Sequence, residues 1–269
     1  MELSRKIIGV KPSTTLAIGA KAKELRAAGK DVVAFTVGEP DFDTPENIKE
    51  AGIKAINDGF TKYTAASGIV ELRKAICDKL KNDNNIIYTP EQVVVCNGAK
   101  QALASSFMAI LNDGDEVIIP APFWVSYSAM VEMVGGKPVI VYTKAENNFM
   151  LSKEELEAAY TEKTKAIVLT SPSNPTGMIA SMENLEDIAK FAVEHDIIVI
   201  ADEIYEKLIY NKNKKHISIA SLGKEIYDRT ITINGVSKSY AMTGWRIGYV
   251  ACPLNIAKCI STIQSHMSS

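Results

Sequence analysis

Apolar positions in this chain fall into two alternating rhythms. Short unbroken runs such as Val93-Val94-Val95-Cys96 and Ile197-Ile198-Val199-Ile200-Ala201 are the mark of strands buried on both faces. Between them lie longer stretches with a helical period, and the clearest runs from Ser181 to His195. There Leu185, Ile188, Ala189 and Ala192 fall at i, i+3, i+4 and i+7 on one face. Seven strands are predicted: 92–96, 116–119, 138–142, 166–170, 197–201, 230–234 and 246–251. Strands alternating with helices predict an α/β fold, a mostly parallel sheet flanked by helices. Start signals support the helices. Thr44 is placed to cap a helix that has Pro45 at its first position and ends near Gly59, and Ser152 with Glu155 forms a capping box. An amphipathic segment from Ile256 runs to Ser269 with no C-cap in its sequence.

Composition narrows the function classes. At 269 residues, 46% apolar and 23% charged, the chain is long enough for a large core and has no repeat or low-complexity stretch. A net charge of −2 gives no electrostatic basis for binding nucleic acid or an acidic membrane. Cys77, Cys96, Cys252 and Cys259 are dispersed without a CxxC pair. Cys96 and Cys252 sit in apolar runs, as core thiols of a protein in a reducing compartment do. His195, His216 and His266 are too scattered to predict a zinc site. No apolar stretch has the length of a membrane span, and Met1–Lys6 lacks a signal-peptide core, which together predict a cytoplasmic location.

The chemistry concentrates in Ser237-Lys238-Ser239-Tyr240-Ala241-Met242-Thr243-Gly244-Trp245-Arg246-Ile247-Gly248-Tyr249. A lysine held neutral in a dry pocket can condense with an aldehyde, and a nearby arginine suits a phosphate dianion. Aldehyde and phosphate together describe pyridoxal 5′-phosphate (PLP). Taken alone, the stretch could also be a surface lysine in a turn before a strand, the less favoured of the two readings. Three further stretches accompany it: Asn97-Gly98-Ala99-Lys100-Gln101 after the first strand, Thr170-Ser171-Pro172-Ser173-Asn174-Pro175-Thr176-Gly177 after another, and Ala201-Asp202-Glu203-Ile204-Tyr205 at the end of a third. In this order the four motifs resemble those of class I, fold-type I PLP-dependent aminotransferases, on the bacterial aspartate aminotransferase branch. The resemblance runs from about Pro12 to the last residue.

That resemblance implies roles residue by residue. Lys238 is the implied covalent anchor for the cofactor aldehyde and the mover of the substrate proton. Asp202 would hold the proton on the ring nitrogen, Asn174 and Tyr205 would bond the phenolic oxygen, and Trp124 would stack on the ring. Gly98, Ala99, Ser237 and Arg246 are the implied phosphate cradle, with Lys100 beside it. Tyr63 would reach the phosphate of a neighbouring subunit, which implies a homodimer. Gly38, Trp124, Asn174, Lys100, Ser13 and Thr15 are the implied substrate contacts, favouring aspartate or glutamate with a 2-oxo acid such as 2-oxoglutarate as acceptor. Prephenate as acceptor, or alanine- or aromatic-preferring activity, stays open. The resemblance further implies that residues 1–40 form a closing arm and part of a small domain, that 41–269 form the PLP-binding large domain, ending in its last helix, and that the C-terminal small domain is missing. The arginine that clamps the substrate carboxylate in this family has no counterpart in the chain, so weak cofactor binding and little turnover are expected of residues 1–269. Two alternatives stand beside the transferase: a C–S lyase of the same fold, and a PLP-binding fragment without turnover.

Overall fold

A computed structural model of the chain describes residues 3, 5–10, 12, 14–35 and 38–268. Two helices, α1 (Arg5–Ile8) and α2 (Thr14–Ala27), precede α3 (Glu46–Asn57) and α4 (Val70–Asn84). There follow β1 (Val93–Asn97), α5 (Gly98–Ile110), β2 (Glu116–Ala121), α6 (Ser126–Met133), β3 (Lys137–Tyr142) and α7 (Lys153–Ala159). The second half comprises β4 (Thr164–Thr170), α8 (Met182–Glu194), β5 (Ile198–Asp202), α9 (Lys224–Tyr227), β6 (Thr230–Gly235), β7 (Ile247–Ala251) and α10 (Leu254–Met267). The seven strands form one sheet in the order β1-β7-β6-β5-β4-β2-β3. Every pairing is parallel except those of β7, which runs against both β1 and β6.

The unbroken apolar runs are explained by burial on both faces. Along β2 and β4, Val117, Ile119, Ala166 and Val168 point into one core, where they meet Leu103 and Phe107 of α5, Val131 of α6 and Ile260 of α10. Their neighbours Ile118, Ile167 and Leu169 enter the opposite core against Leu156 of α7 and Leu185 and Ile188 of α8. Each such fully buried side chain contributes about 1.5–3 kcal/mol of transfer free energy, so the two layers of helices are held by the strands' period-2 alternation. A third cluster seats α4, through Ile76 and Leu80, on Val93, Tyr249 and Ala251. Cys96 and Cys252 are core thiols, as their sequence context predicts, and all four cysteines are free.

Several boundaries differ from the sequence reading. Pro45, not Thr44, is the N-cap of α3, and no side chain caps that helix. The Thr44 hydroxyl instead donates to Ala241 O at 2.6 Å and accepts from Trp245 Nε1 at 3.2 Å, which ties it to the loop after Lys238. A residue before proline is driven to extended backbone, and Pro45 O itself accepts the first helical N–H groups, from Ile48 and Lys49. Arg246 does not open β7. It stands in the left-handed region at φ 57°, just before the strand. The last helix begins at Leu254 rather than Ile256, and its end is closed by Ser268 N–H on Gln264 O. The box at Ser152 forms as a hydrogen-bonded cap, and the structure adds a second at Ser181, with Asn184 as its third-position partner.

Candidate functional site

Ligand sites in open α/β sheets gather outside the carboxyl ends of the strands, and the residues singled out from sequence collect there. Asn97 ends β1, Thr170 pairs in register with Asp202 at the ends of β4 and β5, and Gly235 ends β6 three residues before Lys238. Because β7 runs antiparallel, its amino end lies at this same edge, opposite Asn97 and Gly235. One reversed strand thus carries Arg246 to the start of α5.

The start of α5 and Arg246 together form an anion cradle. Gly98 opens the 13-residue helix at φ +72°, so the free amides and positive dipole end of the first turn face the sheet edge. The Arg246 guanidinium lies against Gly98, and a Cβ there would meet its central carbon at 2.8 Å. A Cβ at Gly248 would in turn run into the backbone of Gly98 and Ala99. Both positions therefore need glycine for the cation to reach the helix end. Arg246 Nη1 donates to Thr243 O at 2.9 Å, which fixes the fork. Lys100 Nζ stands 4.8 Å over the Trp124 ring, and burial together with the Arg246 charge pushes its pKa down. Ser237 is buried beside this edge.

Asp202 is 3% exposed. Burial raises its carboxyl to about 6, against the lowering effect of the Tyr127 hydroxyl and of Ile204 N–H, with the adjacent Glu203 charge adding to the rise. Tyr127 Oη donates to Asp202 Oδ2 at 2.6 Å and lies 2.8 Å from Thr170 Oγ1, and its ring meets Trp124 edge-on at 5.4 Å. Asn174 Nδ2 donates to Tyr205 Oη at 3.4 Å. Lys238 Nζ donates to Gly38 O and stands 5.8 Å from the centre of the Tyr205 ring. Burial lowers the Lys238 pKa and Arg246 lowers it further, while Glu39 opposes both. This set combines an amine biased towards its neutral form, a buried carboxyl and a cation at a helix N-terminus. It matches the aldehyde, ring nitrogen and phosphate of PLP.

Lys238, Tyr205, Asn174, Asp202, Trp124, Lys100, Gly98, Ala99, Ser237, Arg246 and the Gly38 carbonyl thus share one sheet edge. Tyr63 does not join them within the chain. It is 97% exposed on a segment that, with Val95, Gln264 and Ser268, lines a cavity of about 770 Å³. Ser13 and the side chain of Thr15 lie outside the described residues. Sequence reasoning missed Tyr127, Thr170 and Glu39. Thr170 opens the stretch that carries Asn174, Tyr127 lies three residues after Trp124, and Glu39 adjoins Gly38, but nothing local marks their partners. Among the described residues, no helix is long and apolar enough to cross a membrane.

Comparison with known proteins agrees with this geometry. The family model "Aminotransferase class I and II" matches residues 30–269. The aspartate aminotransferase of Bacillus subtilis is 52% identical over 269 residues, covering 100% of this chain and 68% of that protein. A probable aspartate/prephenate aminotransferase of Aquifex aeolicus is 51% identical over 267 residues, covering 99% and 68%. Among solved structures, the Thermus thermophilus aspartate aminotransferase with maleate superposes with a TM-score of 0.96 at 46% identity, covering 100% of this chain and 69% of that one.

Proposed function

The chain belongs to the aminotransferase class I and II family, and from that premise we propose that it moves the amino group of aspartate to a 2-oxo acid such as 2-oxoglutarate, with PLP anchored at Lys238. The observation that carries this reading is the meeting of Lys238, Asp202 and the Arg246–Gly98 cradle at one sheet edge. When bound, PLP supplies an electron sink for the carbanion at the substrate's α-carbon.

The chain's own residues do the rest. Asp202 holds the proton on the ring nitrogen as a charge-assisted pair, and Tyr127 and Ile204 N–H keep its carboxyl oriented. Asn174 and Tyr205 donate to the phenolic oxygen, and Trp124 covers the ring. Arg246, Ser237 and the first amides of α5 bind the phosphate. Lys238, whose pKa burial pushes down, would be the covalent anchor for the aldehyde. As a free amine it would move the proton at the substrate's α-carbon, a service worth about 100- to 10,000-fold in rate. Lys100 and the Gly38 backbone face the substrate. The preference for aspartate is supported by Lys100 and by the names of the relatives, and prephenate is the alternative acceptor that the Aquifex relative's name favours. The proposal extends to residues 1–40 as a closing arm and 41–269 as the cofactor domain, and to a cytoplasmic homodimer in which Tyr63 serves the partner's phosphate.

The test is spectroscopic. The chain is loaded with PLP, and its absorbance is followed as stoichiometric aspartate and then 2-oxoglutarate are added. A shift of the cofactor band on aspartate, reversed by the oxo acid, is expected. An unchanged band, or pyruvate and ammonia released from cystathionine instead, would contradict the reading.

A further inference from the structure

Behind the turn that carries Asp202 and Tyr205 lies a second cluster of ionisable groups. Glu203 and Glu206 are 2% and 6% exposed and engage α4 and the 216–218 segment. Asn84 Nδ2 donates to Glu206 Oε2 at 2.8 Å and lies 3.3 Å from Glu203 Oε2. The Lys79 ammonium sits on Glu206 and donates to Asn84 Oδ1 at 2.7 Å. Ser218 Oγ donates to Glu203 Oε1 at 2.5 Å, and His216 Nε2 is 3.0 Å from Glu203 Oε2. Burial pushes the imidazole down, but Glu203, with Glu206 behind it, more than offsets that, and His216 titrates above its ordinary value. The ligand atoms of Glu203, Glu206 and His216 lie within 4.8 Å of one another. A divalent cation could bridge that spacing, but Lys79 already supplies a cation there. Two carboxylates therefore face one ammonium and one imidazole in a buried network. In it Lys79, Asn84, Glu203, Glu206 and Ser218 are linked by hydrogen bonds and an ion pair, while His216 approaches Glu203 with neither ring nitrogen in hydrogen-bond geometry.

On the site-facing side of the same turn Tyr205 is loosely held: among the described residues its hydroxyl receives a single long bond, from Asn174 at 3.4 Å. The backbone contributes Glu203 N–H to Ile233 O, Glu206 N–H to Glu203 O and Leu208 N–H to Tyr205 O. The orientation of Tyr205 must then come from its neighbours at 203 and 206. We propose that the network of Lys79, Asn84, Glu203, Glu206, His216 and Ser218 is a positioning device, which grips residues 203–208 from behind and so fixes where Tyr205 stands. The inference rests on the proposed function to the extent that Tyr205 holds the cofactor.

Glu206→Gln and Lys79→Gln each leave one buried charge without its partner, whereas the double variant leaves a neutral amide pair. PLP affinity is measured by absorbance titration, and amide exchange is followed by mass spectrometry. Each single variant should weaken PLP binding by about tenfold or more and speed exchange in peptide 203–208, while peptide 98–110 is unchanged. The double variant should recover most of both. Should a single variant fail to fold, Ser218→Ala, which keeps both charges, should give the same local change on a smaller scale. PLP affinity within about twofold of the parent in the variants, or loosening spread evenly over the sheet, would overturn the proposal. If the parent chain takes up no PLP, the proposed function fails and exchange decides alone: faster exchange confined to 203–208 upholds the grip, and unchanged exchange refutes it.

Discussion

Asp202→Asn should strengthen the cofactor-free chain and weaken its hold on the cofactor. The carboxyl titrates at about 6 in the folded chain against 3.8 ordinarily, chiefly because it is buried. The folded state therefore binds this proton more tightly than the unfolded state does. Its contribution to stability is fully present below about pH 3.8, falls as pH rises towards 6, and stays lost above that. At about 1.4 kcal/mol per pH unit, the gap costs the folded chain about 3 kcal/mol at pH 8. Asparagine is neutral throughout and can still accept from Tyr127, so the cofactor-free variant should gain up to about 3 kcal/mol at pH 8 and almost nothing at pH 4. For a chain of this size that is a rise in Tm on the order of 6–12 °C. With PLP bound the sign reverses, because a neutral amide cannot form the charge-assisted bond to a protonated ring nitrogen, worth about 1.5–3 kcal/mol or roughly 10- to 150-fold in affinity. Thermal unfolding of both chains from pH 4 to 8, with and without PLP, reads both signs. A cofactor-free gain that is absent at pH 8, or equal at pH 4 and pH 8, would refute the reasoning.

Four other substitutions have defined outcomes. Arg246→Gln removes a cation that depresses Lys238, so the pH at which Lys238 reacts with an aldehyde under reducing conditions should rise, whereas Glu39→Gln should lower it; shifts of the same sign would contradict the electrostatic account. Gly98→Ala places a methyl group against the Arg246 guanidinium at a positive φ, so affinity for inorganic phosphate should drop by about tenfold or more, as read by calorimetry. Tyr127→Phe removes the hydroxyl that lowers the Asp202 pKa, so the loss of stability should still begin near pH 3.8 but continue to a higher pH and reach a larger total, visible in the Tm–pH profile.

The central strands were legible because they are buried on both faces, which leaves runs like Ile197–Ala201 with no polar interruption to misread. Lys238 and Arg246 were legible because the chemistry of an aldehyde and a phosphate selects those two side chains, and their spacing lies within one loop. Tyr127 was not. Its role depends on Asp202, 75 residues away, and a tyrosine in Phe123-Trp124-Val125-Ser126-Tyr127 reads equally well as core. Thr44 was misassigned for a similar reason: its hydroxyl is taken by Ala241 O, 197 residues on, and no local signal competes with the cap pattern it imitates. The left-handed turn at Arg246 was hidden because the apolar run that follows looks continuous with it, yet that turn points the guanidinium at Gly98 rather than along the strand. The Glu203–Glu206–His216 network also escaped notice, since Glu203 lies between Asp202 and Tyr205 in a motif read for those two residues, and Glu206 and His216 carry no local signal of their own.

Reductive trapping addresses the central claim most directly. The chain is incubated with PLP, reduced with borohydride, digested and mapped by mass spectrometry. The account predicts a pyridoxyl group on Lys238, lost in Lys238→Ala. A label confined to Lys100 or to surface lysines, or undiminished in that variant, would contradict it.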